Sequence, residues 1–173
     1  MNARALTGLV TALLLVAISP AAHARVVRQD TPLNFANGTF GAGLQLGCPT
    51  GFVIKARLSP ANSFQAAAGF GCGEDLLVTG DYVLEMANFF SEPNQFQLSW
   101  YLGIGGRYAV EYHAYHNDTA TNVDLGPRVP IGMEFHFSEL KWLEAYLEIA
   151  PGIDFVDDPG VTVDAGVGAR IFF

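Results

Sequence analysis

Charge is scarce in this 173-residue chain, where Asp, Glu, Lys and Arg make up 15% of residues against about 25% in a typical soluble domain. Basic charge is scarcer still, with 9 Lys and Arg against 17 Asp and Glu. Phosphate backbones are bound by clustered Lys and Arg, so nucleic acid is excluded as a partner. Cysteine is nearly absent: Cys48 and Cys72 are the only two. They form no CxxC or CxxH pattern, so no zinc site is indicated and no cofactor is expected. Half of all residues are hydrophobic. Even so, no run beyond the N-terminus approaches the roughly 20 apolar residues of a membrane-spanning helix.

The exception at the start is "MNARALTGLVTALLLVAISPAAHA". One positive charge (Arg4), an apolar stretch from Ala5 to Ile18, Pro20 and the small-x-small run Ala22-His23-Ala24 read as a secretory leader over residues 1–24. The stretch is short for a retained membrane anchor. The mature chain then starts at Arg25 with a segment over 25–39, and its balance is more acidic because Arg4 leaves with the leader. Export also places the cysteines in an oxidising compartment, where they can pair.

Helical periodicity is missing as well; what is present is period two. "FGAGLQLG" from Phe40 sets Phe40, Ala42, Leu44 and Leu46 against Gly41, Gly43, Gln45 and Gly47. The same alternation recurs over residues 51–59, 64–71, 76–86, 96–112, 125–137, 143–155 and 161–173. Eight alternating segments of about ten residues, separated by turn-rich stretches such as "SPANS", predict an all-β chain closing into an eight-stranded antiparallel up-and-down barrel over residues 40–173.

One face of these strands is bulky and apolar, with aromatics towards the strand ends: Phe40, Phe52, Phe64, Phe70, Tyr112, Phe137, Phe155 and Phe173. The other is rich in glycine and carries single charges. A soluble barrel would show water a face dense in Lys and Glu. An apolar band between aromatic girdles, with glycine making room inside, predicts a transmembrane barrel with lipid outside. Lys55, Arg57, Arg107, Arg128 and Arg170 then face inward with Asp81, Glu85, Glu111, Glu134, Glu144, Glu148, Asp154 and Asp164, and His136 shares that face. Unpaired buried charges are costly, so these residues are expected to pair. Eight strands enclose an interior just wide enough to be filled by side chains, which favours an ion-paired core over a permeation path.

With an even strand count and both termini at one end, Cys48 in the first turn and Cys72 in the third lie together at the opposite end. They are expected to form a disulfide, with two free cysteines packed as small apolar residues as the alternative. The segment His113–Asp124, "HAYHNDTATNVD", is expected to be the longest connection, an external loop and the contact site.

The leader, the eight strands and the terminal "GARIFF" resemble small eight-stranded outer-membrane barrels of Gram-negative bacteria. "RVPIGMEF", "LEIAPGIDF" and "AGVGARIFF" are similar to an uncharacterised outer-membrane barrel group. The resemblance covers roughly residues 40–173, and its motifs are architectural. It implies residence in the outer membrane, contact with outer-membrane lipid and lipopolysaccharide, and a monomer. It also makes Phe173 part of the membrane-insertion signal read by the barrel-assembly machinery.

Structural or interaction barrels, porin-like narrow pores and lipid-acting enzymes all occur in that class. Lipid A deacylases of this architecture place a Ser-His-acid set on the lipid-facing wall, within a His-x-Ser-Asn motif. Here "HAYHND" (His113, His116, Asn117, Asp118) has no Ser between His and Asn, and His136 points inward. A structural or interaction role is the leading expectation, with deacylase-like activity on lipid A or phospholipid, or a narrow pore, as alternatives. No catalytic or metal residue is assigned.

Overall fold

The computed structural model describes residues 38–86, 90–92, 96–115, 118–157 and 159–173. The leader 1–24 and most of the 25–39 segment lie outside them. Every regular element among the described residues is a strand: β1 (Phe40–Gly47), β2 (Thr50–Ser59), β3 (Asn62–Gly71), β4 (Glu74–Glu85), β5 (Phe90–Glu92), β6 (Phe96–Tyr115), β7 (Asp118–Arg128), β8 (Ile131–Phe137), β9 (Leu143–Asp154) and β10 (Gly160–Phe172).

All pairings are antiparallel, and the sheet closes on itself when β10 pairs with both β9 and β1. The ten strands occupy eight places in the ring. β5 continues the place of β4 beside β6, since Glu85 pairs with Tyr101 and Phe90 with Leu98. β8 continues that of β7, since Arg128 pairs with Gly105 and Ile131 with Leu102. The break falls at Val129-Pro130 because proline has no N–H to give the ladder. The carbonyl of Pro130 still accepts from Gly103 N at 2.8 Å, and Val129 N donates to Pro151 O at 2.9 Å. Two residues separate the pairs on both strands, so the inward and outward faces keep their alternation.

That alternation turns the apolar face out. Phe52 is 74% exposed, Ile104 66% and Leu44 61%, whereas Lys55, Arg170 and Glu144 are fully buried. The barrel is an inverted globule whose polar residues fill the centre. Glycines on the inner face lie where rings from neighbouring places need room. A Cβ on Gly168 would come within 2.6 Å of the Tyr146 ring, and one on Gly132 would collide with Tyr101.

One expectation needs correction. The described part of 113–124 is strand and not loop, because β6 runs to Tyr115, β7 starts at Asp118, and the two pair as far as Tyr115 opposite Asp118; residues 116–117 lie outside the described residues. The segment is polar and carries no apolar face, so hydrophobic alternation gave no sign of the strands.

Candidate functional site: the barrel interior

Three tiers of ion pairs fill the barrel. The first lies at the end that carries the described N-terminal residues and Phe173. Lys55 on β2 bonds Glu85 on β4 at 2.6 Å and Glu134 on β8. Arg57 on β2 bonds Glu144 on β9 at 2.7 Å and stacks on the Phe172 ring, 3.8 Å from its centroid. Arg170 on β10 reaches Glu134 at 3.2 Å and Glu144 at 2.9 Å, and stacks on Tyr146. In the middle tier Arg128 holds Asp81 at 2.9 Å, Asp164 at 2.9 Å and Glu148. The third tier centres on Arg107, bonded to Glu74 at 2.7 Å and to Asp154, with Asp164 at 3.5 Å.

Neutral groups join the tiers. Gln65 donates to Glu148 at 2.6 Å and accepts from Arg170 at 3.2 Å; Tyr101 donates to Glu148 and Tyr146 to Gln45, each at 2.6 Å. An unbroken chain of polar contacts therefore runs Glu85–Lys55–Glu134–Arg170–Gln65–Glu148–Arg128–Asp164–Arg107–Glu74, from one end of the barrel to the other. A void among Gln45, Gln65, Thr79, Asp81, Arg128 and Glu148 has room for about one water molecule.

Of the charged residues that alternation placed inside, all but Glu111 line this interior. Glu111 lies past Leu76–Val110, the last β4–β6 pair, on the extension of β6 and β7, where it is half-buried. Alternation put Gln45, Tyr101 and Tyr146 on the inward set and Gln65 shares their parity, but only the charged residues and His136 were named as interior site residues. Glu74 was missed, because it sits at a strand start, where turn and strand parity are hard to separate. Cys48 and Cys72 are joined in a disulfide with Cα atoms 5.8 Å apart. Glycines at positive φ flank the two turns, Gly47 at +130° and Gly73 at +100°, a backbone region that glycine enters without steric cost.

His136 has two groupings around it that the sequence did not reveal. Ser99 Oγ lies 3.3 Å from its Nε2, and Glu144 Oε2 lies 3.7 Å from its Nδ1. The order of groups is that of a hydrolytic triad. However, Ser99 is 4% exposed, and Glu144 is already neutralised by Arg57 and Arg170. Among the described residues, the hydroxyl is closed off from solvent and the carboxylate is committed to two guanidinium groups. Ligand atoms of Glu134, His136 and Glu144 also lie within 4.8 Å of one another. Both carboxylates there are bonded by Lys55, Arg57 or Arg170, so a metal ion would enter as a further cation in a buried, charge-matched cluster. That is unfavourable.

No protein-family model matches the chain, and no curated protein matches it. Among solved structures it is similar to the N-terminal β-barrel domain of OprF from Pseudomonas aeruginosa. The TM-score is 0.54 and the identity 13%, over 76% of this chain and 93% of that one. What they share is the barrel. At this identity the likeness is one of fold and carries no residue roles.

Proposed function

We propose that this chain is a small outer-membrane β-barrel protein with a structural or interaction role. It would sit in lipid as a monomer, with both termini on the periplasmic side. The observation that supports this reading is the inversion of the barrel: an exposed apolar wall around a buried, ion-paired centre. In water such a wall would be an aggregation surface far above the few hundred Å² of a typical exposed patch. In hydrocarbon it is the expected lipid face, and closure of the ring pairs β1 with β10 so that the wall does not end in an open sheet.

The filled interior argues against a pore, since the void there admits about one water molecule. A lipid-deacylating role would need Ser, His and acid on the outer wall; the set that forms among the described residues, Ser99–His136–Glu144, faces inward. Lipid surrounds the wall. Lipopolysaccharide is a poorer partner for the outer end, because its phosphates call for cations. The end opposite the termini has Arg107 as its described cation, and that residue is buried and bonded to carboxylates. Phe173 is exposed and packs edge-on against Phe40 at 5.4 Å; we propose that the assembly machinery reads it as part of the insertion signal.

The test is refolding of the mature chain from urea into detergent micelles. The expected result is a β-type circular dichroism spectrum and a folded band that shifts in mobility on heating. A monomeric chain that stays folded and soluble without detergent would overturn the reading. Lipid A from cells with and without the protein should give the same mass spectrum; loss of an acyl chain would restore the enzyme alternative.

A further inference from the structure

β6 is 20 residues long while its neighbour β4 has 12. The surplus stands above the rim. Beyond Val110–Val123, five further β6–β7 pairs run from Glu111–Asn122 to Tyr115–Asp118, a two-stranded ribbon that projects about 17 Å at 3.4 Å per residue. Its root is fastened on both edges. Asp75, at the start of β4, accepts from Tyr112 N at 2.7 Å, and Asp157, from the β9–β10 turn, accepts from Val123 N at 2.8 Å. Each carboxylate occupies a backbone donor just where strand pairing with the barrel stops.

Past those caps the β7 edge is open. Leu125 O accepts from Phe155 N at 3.1 Å and Val123 N donates to Asp157, so the odd-numbered residues turn their backbone groups to the β9 side. Backbone direction alternates along a strand. Thr121 and Thr119 therefore present N–H and C=O to that side, where no strand pairs with them among the described residues. Such an edge is a template for another strand.

Charge decides which strand. Asp75, Glu111, Asp118 and Asp157 lie on the ribbon or at its root, with Asp124 just below it opposite Ala109, and the sequence has no Lys or Arg from 108 to 127, 71 to 76 or 154 to 160. Two ribbons of this composition repel each other, which disfavours a second copy. We propose that the outer edge of β7 binds an extended, lysine- or arginine-rich polypeptide by strand addition. This rests on the reading that the ribbon faces the outside of the cell.

The experiment uses the protein refolded in zwitterionic detergent, its folding checked separately by heat-shifted mobility, so that failure of the barrel and failure of the edge are told apart. The probe is a fluorescent alternating Lys-Val octapeptide, with a Glu-Val octapeptide as its counterpart. Saturable binding of the Lys-Val peptide is expected, weakening with salt. Thr121→Pro, which deletes one edge N–H, should lose at least tenfold in affinity, while Thr121→Ala, which keeps it, should bind as the parent does. No binding, equal binding of the Glu-Val peptide, or an unchanged affinity in folded Thr121→Pro would overturn the proposal. A dimer in sedimentation that Thr121→Pro dissociates would also overturn it, by showing that the edge holds a second copy.

Discussion

Arg128 joins four places in the ring, since its own strand β7 is tied through it to Asp81 on β4, Glu148 on β9 and Asp164 on β10. Three carboxylates from separate strands converge on one guanidinium, a geometry that its planar fork of donors suits. Replacing it with Met keeps volume and leaves those carboxylates buried without their common partner. Arg128→Met should lower the unfolding free energy in micelles by about 3–5 kcal/mol, as for other broken buried pairs. Arg57 is the contrast. It sits at the mouth, and its partner Glu144 keeps Arg170 when it is gone. Arg57→Met should cost clearly less, and equal urea midpoints for the two variants would show that position in the network does not matter. Gly132 tests packing in the same way. Its inward Cβ would strike the Tyr101 ring, so Gly132→Val should pull the Tyr101 hydroxyl from Glu148 and destabilise the barrel, whereas a silent change would mean the ring has somewhere else to go.

At the scale of the strand, the two faces should answer the same substitution differently. Ile104 is exposed on the wall and Gly105 is inward, next to Asp81. With the wall in lipid as proposed, Ile104→Arg meets hydrocarbon and should cost about 2–4 kcal/mol near the bilayer centre. Its penalty should shrink in shorter-chain detergents, where water lies closer. Arg at position 105 meets backbone and Asp81 and should act by crowding, with no such dependence. Identical responses would mean the faces are misassigned. The ribbon offers a separate test. Asp75→Ala frees the Tyr112 N–H and Asp157→Ala the Val123 N–H, so amide exchange should accelerate at each root position while the β1–β2 amides stay protected.

For the whole molecule, closure of the ring and a filled interior go together. Eight places leave a lumen that side chains can fill, and the chain of contacts from Glu85 to Glu74 crosses it end to end. Planar bilayers carrying the folded protein should show no stepwise conductance; discrete open levels would require the tiers to separate. The disulfide ties the first two hairpins at the end away from the termini, closing a loop across 24 positions. Losing it through Cys48→Ala with Cys72→Ala should cost about 3 kcal/mol by the loop-entropy estimate, read as a lower urea midpoint, and an unchanged midpoint would mean that strand pairing already holds those turns.

By itself the sequence determined the strand class, the eight places and, within the apolar band, which face a residue shows, because strand side chains alternate with period two and one face there is apolar. Lys55, Asp81, Arg128 and Arg170 were legible as interior residues on that ground alone. The choice of partners was not. Whether Arg128 meets Asp81 or Glu134 depends on how far each strand is shifted against the next around a closed ring, and a period-two pattern repeats at every second register. The break at Pro130 leaves the alternation intact, so pattern could place the proline but not show two strands sharing one place. The ribbon was hidden for the opposite reason: residues 113–124 lie beyond the apolar band, where no buried face marks a strand, and only the backbone pairing of β6 with β7 reveals it.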